Sequence, residues 1–408
     1  MRTLALFLLC GLLCLVAPSL CVAKPGAPST PVTVTIPFTN PPHSRLMIVQ
    51  ARLNDKLTGN FVIDTGAPVS VLSESMAQKL GLGFVRGATA AGGLKVDIGL
   101  DRYGEPDSLA ELASLRMSNL VINHASLLVV QLGDSPFFNP GRSRLAQRID
   151  GVIGLDMLHG HPFLVDDQKQ QITLWVRVRL SASDLDTAGL SGAGTIPLKE
   201  LNSGHYAVSA KIENGGRAQT DDLVIDTGSE FTQIAPRLAS DLALNPVPLP
   251  AGLALKSEIF YGQFPNSLAL ADSLQAGDLV IPHALVGYSG PLSKKLPSVL
   301  GIDQLAGYRL LFDFPDKKIY FTKEAETART GSLVEATVPY APAAGGEPLI
   351  VVTLGGASAT LLVDTALPYS RISDTLAAKL GLPLQPVSDP QGNPLLLGGK
   401  AVKNIVVP

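Results

Sequence analysis

Three stretches of the chain align with one another without gaps: Phe61-Val62-Ile63-Asp64-Thr65-Gly66-Ala67, Leu223-Val224-Ile225-Asp226-Thr227-Gly228-Ser229 and Leu361-Leu362-Val363-Asp364-Thr365-Ala366-Leu367. The register holds downstream. Ser70, Thr232 and Ser370 stand six residues after the Asp; Ala77, Ala239 and Ala377 thirteen after; Leu80, Leu242 and Leu380 sixteen after. Self-similarity at this scale means that one supersecondary unit is used several times. Whatever the chain folds into is built from copies of a strand that ends in Asp.

Each copy has the same local grammar. An apolar run ends at the Asp, so a buried strand delivers a carboxylate to a turn. Gly66 and Gly228 are expected to let the backbone turn tightly there. A short second strand follows (Val69 to Leu72, Phe231 to Ile234), then a short helix. Ser73 and Ser373 sit as N-caps, Pro236 suits a first helical position, and Gly81 and Gly381 read as C-terminal stops. Before each Asp lies an alternating segment, Leu46 to Leu53, Tyr206 to Ile212 and Leu349 to Leu354, each the first strand of a hairpin. With 39 Gly and 31 Pro in 408 residues, many short strands fit better than long helices.

A second block follows in the first two repeats. Val152-Ile153-Gly154 and Val299-Leu300-Gly301 are apolar-apolar-Gly triplets. Leu158 and Leu305, Asp166 and Asp313, and Ile172 and Ile319 keep register after them, and each block closes in a hairpin. Leu120 to His124 matches Leu279 to His283 between the blocks. The third repeat lacks the second block. Arg179 to Gly194 and Glu324 to Glu335, rich in Ser, Ala, Thr and charge, read as linkers. The expected division is therefore a leader over 1–23, lobes over 24–182 and 183–330, and an incomplete third repeat over 331–408. Arg86 to Gly93 and Tyr261 to Phe264 read either as mobile flaps or as ordinary surface loops.

The leader is an export signal by its pattern: Arg2, an apolar run from Leu4 to Val16, and a small-residue cleavage site at Cys21-Val22-Ala23. All three cysteines (Cys10, Cys14, Cys21) lie inside it, so the mature chain is expected to use neither disulfides nor thiol chemistry. A periplasmic or secreted protein follows, with no membrane attachment after signal removal. A net charge of -3 carries no basic excess for nucleic acid. His124 and His283 read as polar residues at strand-strand turns. His159-Gly160-His161 has no third ligand in view, so no metal is expected.

The paired blocks resemble the aspartic peptidases, specifically the bacterial retropepsin-like aspartyl proteases, over roughly residues 34 to 322 and partly from about 348 on. The resemblance implies a mainly β protein, with two complete acid-protease lobes in a pepsin-like pseudo-dimer closed within one chain, plus the third incomplete repeat. It implies an exported endopeptidase that takes a polypeptide substrate and needs no cofactor. Asp64 and Asp226 would form the catalytic dyad. Thr65 and Thr227 would lock the two loops together, and Gly66 and Gly228 would let them approach. The chemistry suits these residue types, because two carboxyls about 3 Å apart share one proton and so supply a base and an acid at once. In the third repeat Ala366 replaces the Gly, and Asp364 is expected to be inert. The rival reading is a peptide-binding protein on the same fold without cleavage.

Overall fold

Short strands rich in apolar and β-branched residues, separated by Gly, Asn and Asp turns, make the molecule mainly β. The computed structural model describes residues 33–41, 44–83, 108–130, 148–176, 179–245, 247–248, 267–288, 298–323, 338–342, 348–354, 356–363, 372–382, 384–386, 395–397, 400–402 and 404–406. The expected leader, both flap segments, the linker from Glu324 to Glu335, and Asp364 with Ala366 lie outside them. Among the described residues no helix is long and apolar enough to cross a membrane.

In the first lobe β1 (Thr33–Thr39) alternates exposed and buried residues, as a half-buried strand must. β2 (Ile48–Leu53) and β3 (Leu57–Ile63) form the expected hairpin. It turns through Asn54 and Asp55, both left-handed, a conformation these side chains tolerate. β4 (Val71–Ser73) feeds α1 (Glu74–Lys79), where Ser73 Oγ accepts from Met76 N–H at 3.3 Å and Gly81 ends the helix at φ 66°. The hairpin of β5 (Ser108–Met117) and β6 (Leu120–Val130) follows, then β7 (Gly151–Ile153) and α2 (Leu155–Leu158). β7 lies parallel to β3 and antiparallel to β4, β4 is parallel to β6, and β5 returns to β2, which closes the sheet on itself. β8 (Phe163–Asp166) and β9 (Gln171–Trp175) leave as a hairpin, and α3 (Ala182–Thr187) connects to the second lobe.

The second lobe repeats the plan. β10 (Gly194–Glu200) leads to the hairpin of β11 (Tyr206–Asn214) and β12 (Arg217–Asp226), which turns through Gly215 and Gly216. β13 (Gln233–Ile234) precedes α4 (Pro236–Asp241), with Pro236 in the first turn as expected. β14 (Val247–Pro248), β15 (Ser267–Leu270), β16 (Ser273–Ala276), β17 (Leu279–Pro282) and β18 (Leu285–Tyr288) complete the wall. β19 (Ser298–Gly301) runs parallel to β12, as β7 does to β3. β20 (Tyr308–Asp313) and β21 (Lys318–Lys323) form the closing hairpin. The long β5–β6 hairpin of the first lobe is here two shorter pairings, β15–β18 and β16–β17. His283 stands at that break at φ 51°, and His124 takes φ 52° at the matching place. His124 is thus not at a turn but inside β6, at a local kink, with its Nδ1 2.9 Å from Glu111 Oε1.

The lobes share one antiparallel sheet in the order β1-β9-β8-β20-β21-β10. Its centre pairs Phe163 with Phe312, Leu164 with Leu311 and Val165 with Leu310. Phe163 and Phe312 stack at 4.9 Å on one face, beside Phe314. Leu164 and Leu311 emerge on the other face and meet Trp175, Ala188 and Leu190. This packing corrects the expected linker. Residues 179–194 are not an extended tether; Ser181 and Asp184 bond each other at the start of α3, and the segment packs onto the shared sheet. Burying Leu190 and Ala188 there outweighs the polar composition that suggested a linker.

In the third repeat β22 (Ala341–Pro342), β23 (Pro348–Leu354) and β24 (Ala357–Leu362) form a small sheet, followed by α5 (Asp374–Lys379) capped by Ser373. Four short strands, β25 (Leu384–Pro386), β26 (Leu395–Leu397), β27 (Lys400–Val402) and β28 (Asn404–Val406), pair two by two. Ala341 and Leu349 are buried against Phe231, Leu268 and Leu285 of the second lobe, so this repeat docks there. Phe61, Val62 and Ile63, paired in register with β7, are at most 1% exposed, whereas Leu362 and Val363 are each 40% exposed.

Candidate active site

β3 and β12 end at the same point of the interface, so Asp64 and Asp226 enter it from opposite lobes. Each is anchored by its own loop. Asp64 Oδ1 accepts from the N–H of Gly66 at 2.8 Å and of Ala67 at 3.1 Å, and Asp226 Oδ1 from Gly228 at 2.7 Å and Ser229 at 3.0 Å. The threonines between them interlock. Thr65 N–H donates to Thr227 Oγ1 and Thr227 N–H to Thr65 Oγ1, both at 3.1 Å. Thr65 Oγ1 donates across to Ile225 O and Thr227 Oγ1 to Ile63 O, both at 2.9 Å. These four bonds join loops 162 residues apart, and both threonines are fully buried.

Gly66 and Gly228 are required by proximity, not by backbone shape. Neither adopts the left-handed region, so the turn expected from Gly freedom is not what they provide. A Cβ at Gly66 would lie 2.3 Å from Asp226 Cγ, and one at Gly228 would lie 2.4 Å from Asp64 Cγ. Each carboxyl therefore rests on the opposite Gly.

The two carboxyl groups hydrogen-bond each other. Burial raises Asp64 well above the ordinary carboxylate range, and the Asp226 charge adds to the rise, against the Gly66 and Ala67 amides. Burial also raises Asp226, opposed by the bond with Asp64 and by the Gly228 and Ser229 amides. A pair of this kind holds one proton jointly, and its titration belongs to the pair.

All six residues named from the sequence thus come together. Two carboxylates that the sequence reading passed over lie just behind. Asp156 Oδ1 accepts from Ser70 Oγ at 2.6 Å, and Asp303 Oδ1 accepts from Thr232 Oγ1 at 2.7 Å. Their signal was available, since each stands two residues after the Gly of its apolar-apolar-Gly block. His159 Nδ1 meets Leu155 O, and among the described residues no three His, Cys, Asp or Glu side chains converge to hold an ion.

Residues 49–157 match a family model described as aspartyl protease. No curated protein matches the sequence. Among solved structures the chain is similar to conglutin gamma, a basic 7S globulin from lupine seeds, at 10% identity and a TM-score of 0.45, over 74% of this chain and 98% of that one. It is also similar to basic 7S globulin from soybean, at 11% identity and a TM-score of 0.43, and to aspartic proteinase from Irpex lacteus, at 14% identity and 0.39. Each of these two matches covers 74% of this chain and 100% of the other. The matched residues span both the first Asp-Thr-Gly loop and the first apolar-apolar-Gly strand, so this part of the chain is similar to the aspartyl proteases.

Proposed function

We propose that the chain is an exported aspartic endopeptidase in which Asp64 and Asp226 of one molecule activate a water against a peptide bond. The observation that carries this reading is the pair of carboxyls, hydrogen-bonded to each other and each fixed by two backbone N–H groups. One member, ionised, takes a proton from the water as it attacks the carbonyl carbon. The other, protonated, donates to the carbonyl oxygen. The tetrahedral intermediate then collapses with proton transfer to the departing amine, and the pair returns to sharing one proton. Burial keeps the proton on the pair at pH values where an exposed Asp has lost it. Thr65 and Thr227 touch neither reacting atom; they hold the loops in register, so that the carboxyls stay at working distance.

The leader favours a periplasmic or secreted setting, and the substrate class is polypeptide. The test is hydrolysis of an unfolded protein by the purified chain between about pH 3 and pH 7. The expected profile is a bell bounded by the two apparent pKa values of the pair. Tight binding of the polypeptide without cleavage at any pH would replace this reading with that of a peptide-binding protein.

A further inference from the structure

Behind each Asp-Thr-Gly loop lies a second carboxylate wired to it in the same way. Ser70, six residues after Asp64, is fully buried. Its Oγ donates to Asp156 and accepts from Gly154 N–H at 2.9 Å. Thr232, six residues after Asp226, is fully buried too, and its Oγ1 donates to Asp303 and accepts from Gly301 N–H at 3.0 Å. Thr232 N–H also donates to Asp303 Oδ1, at 2.9 Å, and Gln304 Nε2 donates to Asp303 Oδ2 at 2.9 Å. A hydroxyl can rotate; a carboxyl oxygen that accepts its hydrogen bond fixes the rotor and leaves the lone pair aimed at the Gly amide.

The held Gly is the point of contact with the active loop. A Cβ at Gly154 would lie 2.6 Å from Ala67 O, and one at Gly301 would lie 2.6 Å from the Phe231 carbonyl carbon. The next residue completes the link. Leu155 N–H donates to Ala67 O at 2.8 Å and Ile302 N–H to Ser229 O at 2.9 Å. Ala67 and Ser229 are the residues whose own N–H groups bond Asp64 and Asp226. Asp156 therefore reaches Asp64 through Ser70, the Gly154-Leu155 backbone and Ala67. Asp303 reaches Asp226 through Thr232, Gly301-Ile302 and Ser229.

We propose that Asp156 and Asp303 are positioning residues for the candidate dyad, each acting through the hydroxyl six residues after the dyad Asp to set where the loop N–H donors stand. This inference rests on the catalytic reading above. Two variants separate a positioning role from bulk stability: Thr232→Val removes the hydroxyl at constant shape, and Thr232→Ser keeps it. Ser70→Ala gives the mirror experiment in the first lobe if the Val variant does not fold.

In the full mature chain, Thr232→Val should lower kcat by about 10- to 100-fold, with KM within about twofold, since misplacing reacting groups costs rate more than binding. Thr232→Ser should recover most of kcat. Carbon-13 NMR of Asp-labelled protein should show the dyad's carboxyl titration displaced in Thr232→Val and near wild type in Thr232→Ser. Loss confined to KM, equal loss in Val and Ser, or an unmoved dyad titration would overturn the proposal. A wild type that cleaves nothing would overturn the catalytic reading instead, and the NMR comparison would still decide the positioning link.

Discussion

Replacing Gly66 by Ala tests the contact on which the site is built. The substitution adds one methyl, and Gly66 sits in a backbone region open to Ala, so the effect is steric alone. The new Cβ would lie 2.3 Å from Asp226 Cγ and 2.5 and 2.6 Å from its two oxygens. Non-bonded carbons rest at about 3.5 to 4.0 Å, so the carboxyl or the loop must retreat by about 1 Å or more. A displacement of that size at reacting groups costs about 100-fold in rate, or about 2.7 kcal/mol of transition-state stabilisation. The assay is kcat/KM on an unfolded polypeptide, alongside thermal unfolding of the same samples. Gly81→Ala is the control: it forces Ala into φ 66° in open space, costs about 1 to 2 kcal/mol of stability, and leaves the rate per folded molecule alone. A Gly66→Ala protein within about threefold of wild type would refute the argument that each carboxyl rests on the opposite Gly.

Other outcomes follow from the same geometry. Asp64→Asn and Asp226→Asn should each remove nearly all peptidase activity with the fold intact by circular dichroism, while Asp364→Asn stays near wild type; equal loss from all three would reject the assignment. Burial raises Asp303 to about 6 from 3.8, so its contribution to stability is full below about pH 4. That contribution is lost as the unfolded chain ionises and the pH climbs to about 6, and the curve is flat above that. The fall is up to about 3 kcal/mol, less what its partly exposed edge screens, and denaturant titrations of Asp303→Asn should show it missing. Ile225→Ala, at a fully buried position, should cost about 2 to 5 kcal/mol in urea unfolding, whereas Val363→Ala at the matching but 40% exposed position of the third repeat should cost under about 1 kcal/mol. Similar costs at the two positions would mean that the third repeat's strand is covered after all.

Much of this site is legible in the sequence because it is local. A strand that ends in Asp-Thr-Gly, a Ser cap and a Gly stop are each decided within a few residues, and repetition multiplies the signal. What stayed hidden is tertiary. The role of Gly66 depends on a carboxyl 160 residues away; its own segment suggests only backbone freedom, and it is the resemblance that pointed to close approach, which the structure specifies as room for the opposite carboxyl. Residues 179–194 look like a linker until the shared sheet gives Ala188 and Leu190 a surface to cover. His124 looks like a turn residue because its match, His283, is one; in the first lobe the hairpin continues through the kink. Asp156 and Asp303 were visible at fixed spacing, yet only the structure shows the hydroxyls that give them meaning.

The central claim is that Asp64 and Asp226 of the same molecule act as one catalytic unit. The direct measurement is peptidase activity of wild type, of Asp64→Asn, of Asp226→Asn, and of an equimolar mixture of the two variants. The interlocked threonines and the shared sheet close the lobes within one chain, so wild type should cleave, while the variants and their mixture should all be inactive. An inactive wild type, or substantial activity recovered on mixing, would contradict the account.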